Sequence, residues 1–197
     1  MNTPRILVTA GSARQGSYNR RLAALAVQAV RALGAEATEI DLRALQLPVY
    51  DAEIEAAGLP GGALELRRAM AGHDGLLIAA PEYNAFVTPL LVNSLAWLSR
   101  VPEGEDLPSG LATTQGKPVG LLSASPGALG GLRGLLHLRQ LLSGAFAMLV
   151  LPQTQSVGQA HQAFDDAGQL VDARQRAGLE RVVAETVRTA AALSKPA

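Results

Sequence analysis

The sequence predicts an α/β protein, a doubly wound five-stranded parallel sheet with helices on both faces. Three observations predict it. Five short apolar runs alternate with segments of helical period, 197 residues with 48% apolar content suit one core, and the chemically loaded loops fall directly after apolar runs. The whole chain, 1–197, therefore reads as a single domain.

Residues 6–9 form the first predicted strand, a buried Ile-Leu-Val-Thr run. Leu22, Leu25, Ala26, Ala29, Val30 and Leu33 then recur at three- and four-residue spacing, one face of a helix that Gly34 ends. Residues 37–42 give a second strand, 48–62 an irregular stretch, 63–71 a short helix, and 75–80 a third strand. Residues 87–100 have helical period, and the polar, Gly- and Pro-rich 102–116 reads as a long surface loop. Residues 118–124 form the fourth strand, 132–146 a helix, 148–151 a short fifth strand, and 174–193 a last amphipathic helix. Five buried strands joined by helices imply right-handed crossovers and a parallel sheet covered on both sides.

Composition excludes several classes. Lysine plus arginine number 17 and aspartate plus glutamate 17, so no basic excess exists to draw a nucleic-acid backbone. Without cysteine there is no disulfide, thiolate nucleophile or Cys-ligated metal. The opening Met1-Asn2-Thr3-Pro4-Arg5 carries no leader pattern and no apolar stretch reaches membrane-spanning length, which predicts a cytoplasmic protein away from membranes. His73, His137 and His161 lie far apart and no carboxylates pair at ligand spacing, so no metal site is predicted; His137, in a Leu-rich helix, reads as structural. A serine hydrolase is disfavoured because Ser123 and Ser125 lack the G-x-S-x-G elbow.

Doubly wound sheets bind ligands beyond the carboxyl ends of their strands, so the loops after strands one, three and four should share a crevice. The first is GSARQGSYN, Gly11 to Asn19. Ser12, Arg14, Ser17 and Asn19 offer hydroxyls, a guanidinium fork and an amide at a helix N-terminus, a set suited to a phosphate. Capping by Ser17 or Asn19 beside a solvated arginine accounts for the same residues, and the loop alone does not choose. The glycines match neither G-x-G-x-x-G nor a nucleoside-triphosphate loop, so a terminal monophosphate is the better match.

The second loop, Pro81-Glu82-Tyr83-Asn84, is rigid at its start and supplies main-chain N–H groups and an aromatic face; it also reads as a plain turn with Asn84 in an unusual dihedral. The third, from Ser123 through Ser125, Pro126 and Gly127 to Gly131, is a turn cluster whose glycines allow a flat ring close to the backbone.

These three blocks, GSARQGSYNRRLA, PEYNAFVTPLLVNSLAWLSR and SASPGALGGLRGLLHLRQLL, together resemble the NADPH-dependent FMN reductase family, with its bacterial chromate and quinone reductases and azoreductase-like enzymes. The resemblance implies a flavodoxin-like fold that binds FMN. Ser12, Arg14, Ser17 and Asn19 would hold the phosphate, Pro81, Glu82, Tyr83 and Asn84 would lie along the isoalloxazine, and Ser123 to Gly130, with Ser123 and Gly127 as cofactor contacts, would close the other side. It further implies NADPH or NADH as electron donor and a small-molecule acceptor such as a quinone, azo compound, free flavin or chromate. No protein side chain need be catalytic, since the flavin N5 takes the hydride. Relatives assemble as homodimers or homotetramers, with a partner chain completing the pocket.

In the second block Val92 and Ala96 stand where the family commonly has a lysine and an aspartate, which removes two charges; if those charges lie at a subunit contact in relatives, apolar packing would hold the oligomer here, and if they orient a substrate, the preference would differ. Trp97 lies at the helical spacing of core or subunit packing. Arg100 is open to three roles: an interface pair, a nicotinamide-nucleotide contact or a solvated helix end. A flavodoxin-type electron carrier and a flavodoxin-like protein without cofactor are the rival readings, and the neutral charge balance speaks against the carrier.

Overall fold

A computed structural model describes residues 3–194. Its sheet has the parallel order β2-β1-β3-β6-β7, formed by Glu36–Ile40, Arg5–Ala10, Gly75–Ala79, Pro118–Ala124 and Leu149–Val157. The chain passes from β1 outward to β2, then returns to the other side of β1 for β3. This reversal opens a crevice at the carboxyl ends of β1 and β3, the usual ligand position in such sheets.

Strand alternation builds the two cores. Ile6, Val8, Ala10, Leu77, Ala79, Leu122 and Ala124 face α1 (Tyr18–Ala32) and α6 (Ala173–Leu193). The intervening Leu7, Leu76, Ile78, Val119 and Leu121 face α3 (Gly61–Ala71), α4 (Pro89–Arg100) and α5 (Leu132–Ala145). Helices thus cover both faces, as the sequence predicts.

The expectation of five buried strands holds for the middle three only. β2 and β7 are the sheet's edges and half-exposed, and β7 extends past Leu151 to Val157 through a polar stretch containing Pro152. An edge strand tolerates both, because one side of its backbone pairs with nothing.

The irregular stretch from 48 to 62 contains α2 (Ala52–Ala57), capped by the Asp51 carboxylate, which accepts from the N–H groups of Glu53 and Ile54. The stretch covers α4. Pro48 O accepts from Trp97 Nε1 at 2.7 Å and from Asn93 Nδ2 at 2.7 Å, and the Tyr50 ring meets Trp97 edge-on at 5.2 Å. Trp97 is wholly buried inside its own chain, which settles its packing as core. Arg100 lies 5.0 Å from the Tyr50 ring centroid, at the end of α4 remote from the crevice. The loop from 102 to 116 is held by Arg67 of α3, a buried guanidinium that donates to Pro102 O at 2.8 Å and to Glu105 at 2.9 Å.

Candidate functional site at the carboxyl end of the sheet

Ser12, Arg14, Ser17, Tyr18, Asn19, Pro81, Glu82, Tyr83, Ala124, Ser125 and Pro126 line one cleft of ≈ 130 Å³. The loops after β1, β3 and β6, far apart in sequence, converge there.

The β1 loop is fixed at both ends. Gly11 N–H donates to Ala79 O at 2.9 Å, and Gly11 O accepts from the Thr88 hydroxyl at 2.8 Å. A β-carbon at Gly11 would sit 2.3 Å from Leu91 Cδ1, so only glycine lets α4 pack this close. Ser17 caps α1, its Oγ accepting from Asn19 N–H at 3.2 Å, while Ser12 Oγ accepts from Arg14 N–H at 3.4 Å. Both hydroxyls are buried and accept from the main chain, and neither donates to any described residue. Their protons are free for a ligand. The Tyr18 N–H, at the start of α1, likewise meets no acceptor among the described residues. Arg14 makes no ion pair among them and is solvent-exposed at the cleft. Capping and anion binding are therefore compatible: one atom of Ser17 caps while the other is available.

Asn19 differs from its neighbours. Its side-chain amide is spent on both main-chain groups of Ala124, so it ties α1 to β6.

The second wall is a hairpin, β4 (Glu82–Tyr83) paired antiparallel with β5 (Phe86–Val87). Its two turn residues, Asn84 and Ala85, have φ of +52° and +63°, the left-handed pair that a tight hairpin twist requires. Helix α4 consequently starts at Pro89, not at Val87 as the period predicted. The hairpin is docked on α5. The nearly buried Glu82 carboxylate accepts from Arg133 at 2.6 Å and from Gly134 N–H at 3.1 Å, and the Phe86 ring lies 4.7 Å from the His137 ring. Burial pushes the Glu82 carboxyl up, but these hydrogen bonds outweigh it and hold the group below the ordinary carboxylate range. Its side chain is thus committed to α5, and Tyr83, half-exposed, is the aromatic group that the wall presents at the cleft beside Pro81 and Glu82.

At the third wall Ser123 is wholly buried, its hydroxyl 3.0 Å from that of Ser156 on β7. It stands beneath the cleft and is not part of its lining. Gly127 lies one residue beyond the lining, with its N–H 3.3 Å from Ser125 Oγ and its carbonyl accepting from Gln159 N–H at 3.3 Å. Of the ten cofactor residues predicted, seven line the cleft: Ser12, Arg14, Ser17, Asn19, Pro81, Glu82 and Tyr83. Asn84 shapes the turn behind Tyr83. Tyr18 is a lining residue that the sequence reading did not single out, although an aromatic at the first helical position, four residues after Arg14 and three before Arg21, was a visible signal.

The donor set suits the phosphate of a flavin mononucleotide: free hydroxyl protons, a free guanidinium, a helix N-terminus, and no unpaired carboxylate in the lining. Fold and site together define a doubly wound protein with a donor-rich cleft at its switch point. Residues 4–162 match the model of the NADPH-dependent FMN reductase family, and the chain belongs to that family. It is 32% identical over 173 residues to an NAD(P)H-dependent FMN reductase of Pseudomonas aeruginosa, covering 87% of each chain. It is 34% identical over 172 residues to a quinone reductase of Pseudomonas putida, covering 85% of this chain and 84% of that one. Among solved structures, the flavoenzyme NAD(P)H:(acceptor) oxidoreductase FerB of Paracoccus denitrificans superposes with a TM-score of 0.79 at 21% identity, over 96% of this chain and 98% of that one. The protein is an oxidoreductase that uses FMN and a nicotinamide nucleotide.

Proposed function

We propose that the protein passes two electrons from NAD(P)H through FMN to a small planar acceptor of the quinone type, and that it works as a homo-oligomer. The convergence of three donor-rich loops in one cleft carries this reading. The Ser12 and Ser17 hydroxyls, the Arg14 guanidinium and the N-terminus of α1 bind the phosphate. Pro81 and Tyr83 on one wall and Ser125 to Gly127 on the other would hold the ring. FMN, when bound, supplies the hydride-accepting and electron-donating chemistry. No side chain in the lining needs to act as acid or base, and Glu82, held ionised by Arg133, is unsuited to deliver a proton. The quinone class of acceptor is supported by the similarity to quinone reductases and by the half-exposed Tyr83, which leaves a flat aromatic wall for a flat partner.

Two observations support the oligomer. The cleft is smaller than the ~300 Å³ that usually encloses an organic ligand of flavin size, so one chain wraps only part of it. Next to it Tyr83 and Phe86 on the hairpin, and Leu132 and Leu136 on the helix beneath, leave apolar surface exposed. No helix of the described residues is long and apolar enough to cross a membrane.

The test is the visible spectrum of purified protein under argon, then with NADPH, then with a benzoquinone. Yellow protein that bleaches with NADPH and recovers its colour with quinone supports the reading. Bleaching without recovery would leave a reductase of some other acceptor, and a spectrum without flavin bands after incubation with FMN would overturn it.

A further inference from the structure

Tyr18 is the lining residue with the densest aromatic and cationic surroundings. Its ring stacks nearly parallel on Phe164, with centroids 6.2 Å apart and 7° between planes. The Arg14 guanidinium lies 5.6 Å from the Tyr18 centroid, and Arg21, one turn further along α1, lies 6.0 Å from Tyr18 and 5.9 Å from Phe164. Phe164 comes from the segment after β7, which is itself fastened to the third wall through Gln159 N–H to Gly127 O and Ala160 N–H to Ser125 O. That segment closes on itself where Phe164 bridges Leu170.

Arg14 is exposed, and no carboxylate or carbonyl of the described residues accepts from its guanidinium. The Tyr18 ring is the one aromatic face among the described residues within cation–π range of it. A guanidinium packed on an aromatic face keeps its in-plane N–H groups free, which a salt bridge would consume. An arginine free to sample all its rotamers would lose that freedom on gripping a phosphate, and the loss would weaken binding.

We propose that Tyr18, braced by Phe164, is a positioning residue that pre-orients Arg14 for the phosphate and so sets the preference for FMN over unphosphorylated riboflavin. This rests on the assignment of Arg14 to the FMN phosphate. Tyr18 acts through Arg14, so its contribution vanishes when Arg14 is absent.

The experiment titrates the full chain with FMN and with riboflavin, following the quenching of flavin fluorescence, in wild type, Tyr18→Leu, Tyr18→Phe, Phe164→Leu, Arg14→Ala and the double variant Arg14→Ala/Tyr18→Leu. Tyr18→Leu is expected to weaken FMN between about threefold and thirtyfold while moving riboflavin less than about twofold. Tyr18→Phe restores wild-type affinity, and Phe164→Leu gives a smaller loss of the same kind. Tyr18→Leu adds nothing further on the Arg14→Ala background. Equal losses for both flavins, or losses that add in the double variant, would overturn the proposal, since both describe a ring that merely supports the fold or touches the flavin itself. A wild type that binds both flavins alike, or an Arg14→Ala variant with unchanged FMN affinity, would instead sink the phosphate assignment on which it rests.

Discussion

Asn19 grips the main chain of Ala124 from both sides, donating through Nδ2 to its carbonyl at 2.8 Å and accepting from its N–H through Oδ1 at 2.9 Å. The two residues are 105 positions apart, and the bonds are buried. They join the first turn of α1 to the end of β6, and so tie the β1-loop wall of the cleft to its third wall.

Asn19→Ala removes both bonds and leaves a buried donor and acceptor unmet. It should lower stability by about 2–4 kcal/mol and weaken FMN retention as well. Urea unfolding of the flavin-free chain separates the first effect from the second. A loss below about 1 kcal/mol would show that water replaces the amide and that the walls are not coupled through it.

Glu82 gives the fold a dependence on acid. Its folded-state pKa lies below the unfolded value, because the hydrogen bonds from Arg133 and Gly134 outweigh the cost of burial. A depressed carboxylate pKa stabilises above the unfolded pKa, and the contribution disappears as pH falls through the folded one. Glu82→Gln should therefore cost about 1–2 kcal/mol near neutral pH, at the low end because Arg133 is half in solvent. The gap to wild type should shrink steadily as urea melts are taken down from about pH 6 to about pH 3. A gap that stays constant over that range would mean that the carboxylate does not hold the hairpin.

Ala85 occupies a left-handed turn position, φ +63°, without being glycine. Relief of that strain is worth roughly 1–2 kcal/mol, offset by about 0.5–1 kcal/mol of extra chain entropy in the unfolded state. Ala85→Gly, which makes the favoured Asn-Gly turn, should raise the melting temperature by about 1–4 °C. Ala85→Val should lower it. Paired thermal melts decide the matter, and a lower melting temperature for the glycine variant would contradict the turn assignment.

Gly11 and Leu91 should be coupled energetically. Gly11→Ala forces its methyl into Leu91, which is buried, and should cost about 1–3 kcal/mol and reduce FMN affinity by displacing the loop. In Gly11→Ala/Leu91→Ala the second change removes the obstruction, so the double variant should lose less than the sum of the two singles by at least about 0.5 kcal/mol. Strict additivity in a double-mutant cycle would place the strain elsewhere.

The buried parts of the sheet were readable because burial leaves a mark in the residues themselves. The runs at 75–80 and 118–124 are apolar throughout since helices lie on both faces, and α1 shows its period since only one of its faces is buried. The marks fade where burial ends. α2 has six residues and none buried, so no period exists to read, and the polar half of β7 from Pro152 to Ser156 carries no strand signature at a sheet edge. The β4–β5 hairpin has two residues on each strand, too few for any alternation, and only the tolerance of Asn84 for a positive φ hinted at it.

Sequence alone determined the layer architecture and the three loaded loops, because apolar periodicity and local donor chemistry are properties of neighbouring residues, and it pointed to the family through the resemblance of those three blocks. Tertiary structure decided how each predicted residue is used. Asn19 and Glu82 look like ligand groups in the sequence, yet the folded chain turns one to Ala124 and the other to Arg133, while Tyr18 gains its place from Arg14 and from Phe164, nearly 150 residues away. A side chain's free donors are those left after its spatial neighbours have been satisfied, and those neighbours are fixed only when the strands and helices pack.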